Sequence, residues 1–245
     1  MPDPPSEPSL TTELLELADA KAHEVPGRLR RLTEHSLRMP GIEAGGVLVA
    51  TPQGQFRDVI ASGPTVDRLE QLQIEHEEGP CRDTLRTGKP LADLPLPHPH
   101  CRARWPHFTP SALSEGFTAV TALLVRHHGH TFGALNLFHQ HRRPHPATIR
   151  ACQSLADAAA LGLAHQRALR ELRERNARLE TALDSRVLIE QAKGILAERL
   201  RLQPDEAFDR MRRHARAHQR KLTDLAHQII HDPADAGPFA RPADG

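Results

Sequence analysis

The 245-residue sequence predicts an α+β domain, an antiparallel sheet flanked by helices, followed by a long coiled-coil helix and an all-α three-helix bundle. Three observations carry this. Short strand-like runs cluster in the first 140 residues, at 45–51, 56–62, 117–125 and 131–138. After Pro146 no proline occurs until beyond Arg201, and glycine appears only at Gly162 and Gly194. The stretch 184–231 then holds three segments with apolar residues at helical spacing.

The elements follow in order. Residues 1–9 are proline-rich and expected to be disordered. Leu14, Leu15, Leu17 and Ala18 open a helical pattern, which resumes after Pro26 with Leu29, Leu32 and Leu37 and stops at Met39-Pro40-Gly41. GGVLVAT and FRDVIAS, joined by a short glycine-containing loop, form a hairpin signal. Val66, Leu69, Leu72 and Ile74 restore helical spacing, ended by Gly79-Pro80-Cys81. A short helix at 82–87 and a strand at KPLADL follow. PLPHPHCRARWPHFTP reads as an irregular loop. FTAVTALLV and TFGALNLF are the strongest strand signals, turning at His128-Gly129.

From Leu155 the spacing 3-4-3-4 runs through Ala158, Gly162, His165, Leu169, Leu172, Asn176, Leu179 and Leu183. This is a coiled-coil seam, strongest in its second half. Leu169, Asn176 and Leu183 take a positions and Leu172 and Leu179 take d positions. A single Asn at a fixes a parallel dimer register at some cost in stability. The alternative is a helix packed on its own domain, but RELRERNARLE is too charged for a core helix. A homodimer is therefore expected.

Composition narrows the function. Hydrophobic residues make up 38% and charged residues 26%, and the net charge is +1, so any nucleic-acid signal must be local. Cys81, Cys101 and Cys152 show no pairing pattern, which fits a reduced cytoplasmic setting. The N-terminus lacks a secretory pattern, and no apolar run approaches the roughly 18 residues of a membrane span. No phosphate loop, HExxH or nucleophile elbow is present, so no catalytic residues are assigned. His98, His100, Cys101 and His107 are ligand types, but their spacing is not an established structural metal site, and no metal is assigned.

IEQAKGILAERL, 189–200, raises a specific question, because a mid-helix glycine costs roughly 1 kcal/mol against alanine. At about 100° per residue, Leu188, Ile189, Ala192, Ile195, Leu196 and Leu200 share one broad side. Gly194, Ala197, Glu190 and Arg201 fall near the opposite side, with Lys193 and Arg186 at its edge. A strip of small residues beside cations admits close approach of another surface, and phosphate is a natural partner. A tolerant solvated face is the alternative. The next segment begins at Pro204, with Ala207, Phe208, Met211 and Ala215 as its apolar face. It carries Arg210, Arg212, Arg213, Arg216, Arg220 and Lys221 without an acid among them. The third carries Leu222, Leu225, Ala226, Ile229 and Ile230. The tail, 232–245, is expected to be disordered.

SRVLIEQAKGILAERLRLQPDEAFDRMRRHARAHQRKLTDLAHQII resembles the ANTAR domain from end to end. The match rests on Gln-Ala-Lys-Gly-Ile-Leu at 191–196, Glu-Ala-Phe at 206–208, the basic second helix, and Lys221-Leu222 followed by Leu225-Ala226. The resemblance implies a three-helix module that binds paired stem-loops in nascent transcripts and prevents termination. It implies RNA contact by Ala192, Lys193, Gly194 and the segment Gln219-Arg220-Lys221, beside which Arg186, Ala197, Arg213 and Arg216 are candidates. Two departures stand out: Ala197 where the family has Met, and Gln219 where it has Asn.

The first half resembles the GAF fold found ahead of ANTAR modules. The carrying residues are GPC at 79–81, Arg104-Trp105-Pro106-His107-Phe108, Gly116-Phe117 and GALNLF at 133–138. The resemblance implies a sensory pocket for an unknown small-molecule ligand, with Cys81 and Trp105 as candidate lining residues. The expected division is a GAF domain over 10–165, a coiled-coil linker over 166–183 and an ANTAR domain over 184–231. The expected function is a cytosolic regulator acting by antitermination, with no membrane partner. Two rivals are a GAF enzyme with redox or ligand-modifying chemistry at Cys81, its C-terminal helices serving oligomerisation, and a protein-interaction adaptor.

Overall fold

The computed structural model describes residues 9–21, 24–51, 53–140 and 143–231. The disorder expected at 1–9 and 232–245 therefore falls outside the described residues, apart from Ser9. The chain divides into two compact units between Leu169 and Arg170. Among the described residues no helix is long and apolar enough to cross a membrane.

The first unit is built on a five-stranded antiparallel sheet. Its strands are β1 (Ala44–Ala50), β2 (Phe56–Ala61), β3 (Leu91–Pro95), β4 (Ala119–His127) and β5 (His130–His139), in the order β2-β1-β5-β4-β3. The alternation of a strand sends successive side chains to opposite faces. On one face Val47, Leu123, Val125, Leu135 and Leu137 meet α1 (Leu10–Ala18), α2 (Val25–Leu37) and the first part of α7 (Pro146–Leu200). On the other, Val120 and Phe138 meet α3 (Pro64–Glu75), α5 (Pro99–Arg104) and α6 (Phe108–Ser114). Leu48, Ala122 and Ala134 meet Cys81 of α4 (Pro80–Thr87) on that same side.

Three readings from the sequence are corrected here. The Pro- and His-rich stretch is not irregular, since it contains α5 and α6. Pro99 sits in the first turn of α5, and the His98 side chain accepts from His100 N at 3.2 Å. The Glu78 carboxylate caps α6, accepting from His107 N at 2.6 Å and Phe108 N at 2.8 Å. That cap comes from about thirty residues upstream, so no local pattern announces it. Pro80 does not stop a helix; α3 has already ended at Glu75, and Pro80 starts α4. The coiled-coil seam does not begin at Leu155, because Leu155 and Gly162 are buried in the core of the first unit.

Gly162 has a clear packing reason. Arg28, fully buried, donates to the carbonyls of Leu17 and Asp19 at the end of α1, the second at 2.7 Å. A Cβ at position 162 would run into the Leu17 carbonyl oxygen and the Arg28 guanidinium. At Gly194 nothing lies within 4 Å of where a Cβ would stand.

A buried polar network ties α3 and α4 to β5. Glu70 is fully buried and accepts from Asn136 Nδ2 at 2.8 Å and Gln73 Nε2 at 2.6 Å. Gln73 Oε1 in turn accepts from Cys81 N at 2.9 Å. Burial raises the Glu70 carboxyl to about 8, a rise that nearby Asp67 reinforces and the two hydrogen bonds oppose. Asn136 Oδ1 is buried without a partner. A turn of that amide would let it accept from a protonated Glu70.

The second unit packs the end of α7 against α8 (Pro204–Ala217) and α9 (Leu222–His231). Its core is built largely from small residues: Ala192, Leu196, Ala197, Ala207, Met211, Ala215, Leu225, Ala226 and Ile229. Phe208 is half-buried and lies outside this cluster, contrary to its place on the projected apolar face.

Two predictions follow from these environments. Gly162→Ala should destabilise the protein by about 1–3 kcal/mol through overpacking, whereas Gly194→Ala should stabilise it by about 1 kcal/mol, both read from denaturant midpoints. A loss of stability in the second variant would contradict the open environment at Gly194. The Glu70 carboxyl ionises near its ordinary 4.5 when unfolded and near 8 when folded. Its contribution is therefore fully present at low pH and is lost as pH rises through that window. Glu70→Gln should flatten this decline in unfolding midpoints measured from acid to mildly alkaline pH.

Candidate nucleic-acid interface

The candidate residues lie on two stretches of the second unit. The first is the end of α7. Arg186 and Gly194 are exposed there, and Lys193 is half-buried, its ammonium paired with Glu190 one turn away. Ala192 is fully buried, backbone included, and belongs to the bundle core, so it presents no surface to a ligand. Ala197 is also buried, at 7% exposure, and belongs to the bundle core rather than to an open strip. The projection misplaced it because α8 and α9 cover a wider arc of α7 than the largest apolar side chains mark.

The second stretch is the C-terminal half of α8 with the turn that follows. Arg213, Arg216, Gln219, Arg220 and Lys221 are all exposed. Arg220 Nη1 donates to Gln228 Oε1 at 2.8 Å, which holds its guanidinium against α9. Arg210, nearer the helix start, pairs with Glu206 at 3.7 Å.

The helix ends explain why the turn is presented. Gln219 has φ +51, and Arg220 N bonds back to Ala215 O at 2.9 Å while Gln219 N bonds to Arg216 O at 3.2 Å. This is the left-handed stop known as a Schellman motif. α7 ends in the same way, with Arg201 at φ +52 and Leu202 N bonded to Ala197 O at 2.9 Å. Glycine or asparagine suits that position best, because other side chains strain against the following backbone. Gln219 is thus first a helix-ending residue, and its difference from Asn bears on the backbone of the turn.

Glu190, which the projection places on this face, sets its carboxylate beside Lys193. Sequence reasoning passed over another feature of this face. His214 and His218 stack at 4.1 Å between ring centroids. Their four-residue spacing on a helix was the available signal. Burial, then the charges of His218 and Arg220, hold His214 below the ordinary histidine range.

The leucines expected to form the dimer seam are exposed in the single chain. Leu169, Leu172, Leu179 and Leu183 are 38%, 57%, 63% and 62% exposed, and Asn176 lies exposed among them. The sensor-side candidates are buried. Cys81 directs its thiol at Ala134 O, 3.7 Å away. Trp105 donates from Nε1 to Asp83 Oδ2 at 2.8 Å and packs edge-on against Phe108. Burial pushes the thiols of Cys81 and Cys101 up, away from the thiolate. Among the described residues no group of three or more His, Cys, Asp or Glu is arranged to hold a metal ion.

The GAF domain model matches residues 22–164, and the ANTAR domain model matches residues 177–230. No functionally curated protein matches the chain. Similar solved structures include the GAF domain of a phosphoenolpyruvate-protein phosphotransferase from Acinetobacter, at 11% identity and TM-score 0.48, covering 65% of this chain and 92% of that one. Another is an N-acylhomoserine lactone-dependent LuxR family transcription factor from Burkholderia cenocepacia, at 14% identity and TM-score 0.48, covering 65% of this chain and 98% of that one. With more than half its length matched by the first family model and the basic bundle matched by the second, the chain belongs to the GAF domain family and carries an ANTAR domain after the sensor.

Proposed function

We propose that this chain binds RNA stem-loops in nascent transcripts through its ANTAR domain and acts by antitermination, under the control of a small-molecule signal at its GAF domain. The observation that carries the reading is Gly194. It is an exposed mid-helix glycine that no neighbour requires, set beside Lys193 in the same bundle as the cationic end of α8. A residue that costs helix stability without serving the fold is best explained by a partner that approaches the backbone there.

The exposed stripe Leu169, Leu172, Leu179 and Leu183 supports homodimerisation through α7. Two linked bundles would hold two stem-loops with an avidity that neither has alone. The GAF signal would then act on the pairing of these helices. The redox alternative at Cys81 is disfavoured, because that thiol is buried and its thiolate is suppressed.

Crosslinking and sequencing of bound RNA in cells tests the partner class. Gel shifts with the recovered RNA should show the Lys193→Ala, Lys221→Ala double variant binding about tenfold or more weakly, with a shallower salt dependence. Retained affinity would sink the site assignment. Light scattering at micromolar concentration should give twice the chain mass, and Leu172→Glu with Leu179→Glu should return a monomer. A monomeric wild type would remove the coiled-coil mechanism.

A further inference from the structure

His214 and His218 lie one turn apart at the end of α8, the first half-buried and the second exposed. Their rings stack at 4.1 Å with planes 26° apart. His218 Nδ1 lies 2.9 Å from the carbonyl oxygen of His214. A carbonyl only accepts, so Nδ1 carries the hydrogen, and in the neutral ring Nε2 is the bare acceptor nitrogen. The pair lies at the end of α8, immediately before the candidate turn Gln219-Arg220-Lys221, and the Arg220 cation, pinned to Gln228 of α9, acts on His214. One turn back on the same face of α8 is Arg210, which pairs with Glu206. The acids of the neighbouring helix ends are Asp224 in the first turn of α9 and Glu190 of α7, the second paired with Lys193. His227 of α9 stacks instead on His231.

We propose that His214 and His218 form a proton-gated phosphate contact, in which docking of an RNA phosphate at His218 Nε2 is coupled to uptake of one proton from solvent by the pair. This rests on the reading of the ANTAR domain as RNA-binding. In the neutral ring, Nε2 and a phosphate oxygen are both acceptors and cannot bond. Once protonated, His218 keeps its Nδ1–H on the carbonyl and offers Nε2–H to the phosphate as a charge-assisted hydrogen bond. Two stacked imidazolium rings at this separation repel, which limits uptake to one proton per pair. In the free protein burial, then the charges of His218 and Arg220, oppose protonation of His214. A bound phosphate reverses the sign of the local field.

The test uses the full chain and the RNA recovered by crosslinking. Affinity is measured at about pH 6 and about pH 8, over a range of salt, for wild type, His218→Gln and His214→Gln. Wild-type binding should tighten about tenfold more than that of His218→Gln between the two pH values, a one-unit shift of the pair's titration. At the lower pH the salt slope of His218→Gln should be shallower by roughly one phosphate contact, about 0.7–0.9, and at the higher pH the two slopes should coincide. His214→Gln should give an intermediate pH response. Parallel pH profiles, or an equal loss at both pH values, would overturn the proposal. Failure of the wild type to bind any RNA at either pH overturns the RNA reading itself, and this contact with it.

Discussion

One helix supplies side chains to both hydrophobic cores of this protein. α7 gives Cys152, Leu155, Ala156, Ala159, Ala160 and Leu163 to the GAF core and Ala192, Leu196 and Ala197 to the ANTAR core. The two contributions meet different constraints. In the GAF unit the α1 carbonyls and the Arg28 guanidinium press directly on the α7 backbone, and only Gly162 leaves room for them. In the ANTAR unit Gly194 faces open space. The same residue type in the same helix is therefore structural at one position and unexplained by the fold at the other. That contrast is a stronger argument for an external partner than the glycine alone, because it shows what an internally required glycine looks like in this chain.

The two departures from the family pattern fall in different places, one in the ANTAR core and one in the turn after α8. Alanines at 192, 197, 207, 215 and 226 let the three helices approach closely. Ala197 is part of that packing, so a larger side chain there changes core volume before it changes any contact with RNA. Gln219 ends α8 in the left-handed conformation, so its identity affects how firmly the turn holds Arg220 and Lys221. Ala197 thus belongs to the packed core, and Gln219 to the turn that ends α8.

Much of the sheet was legible because strand alternation is local: Leu135 and Leu137 point one way and Ala134, Asn136 and Phe138 the other. The solvent stripe from Leu169 to Leu183 was legible for the same reason. What escaped the sequence depends on distant partners. Glu78 makes α6 possible from about thirty residues away. Glu70 sits in a helix of mixed polarity, and only the fold reveals that it is buried under Asn136. The burial of Ala197 depends on how far α8 and α9 wrap around α7. The seam pattern ran too far upstream because a helix face that packs on its own sheet and one that pairs with a second helix share the same spacing.

The two faces of the GAF sheet differ in a way that bears on signalling. The side toward α7 buries Arg28 against the α1 carbonyls and Thr121 against His139, whereas the side toward α3 and α4 holds the Glu70, Gln73 and Asn136 network. β5 belongs to both. Asn136 enters the network, while its neighbours Leu135 and Leu137 sit in the same core as Leu155 and Ala159. Packed interiors transmit displacement rather than absorb it. A change in the charge of the network at Asn136 would reach, one residue along the strand, the side chains that pack on the start of α7. This gives a signal at that network a short physical route to the helix that carries the exposed leucines, without requiring a ligand to touch α7.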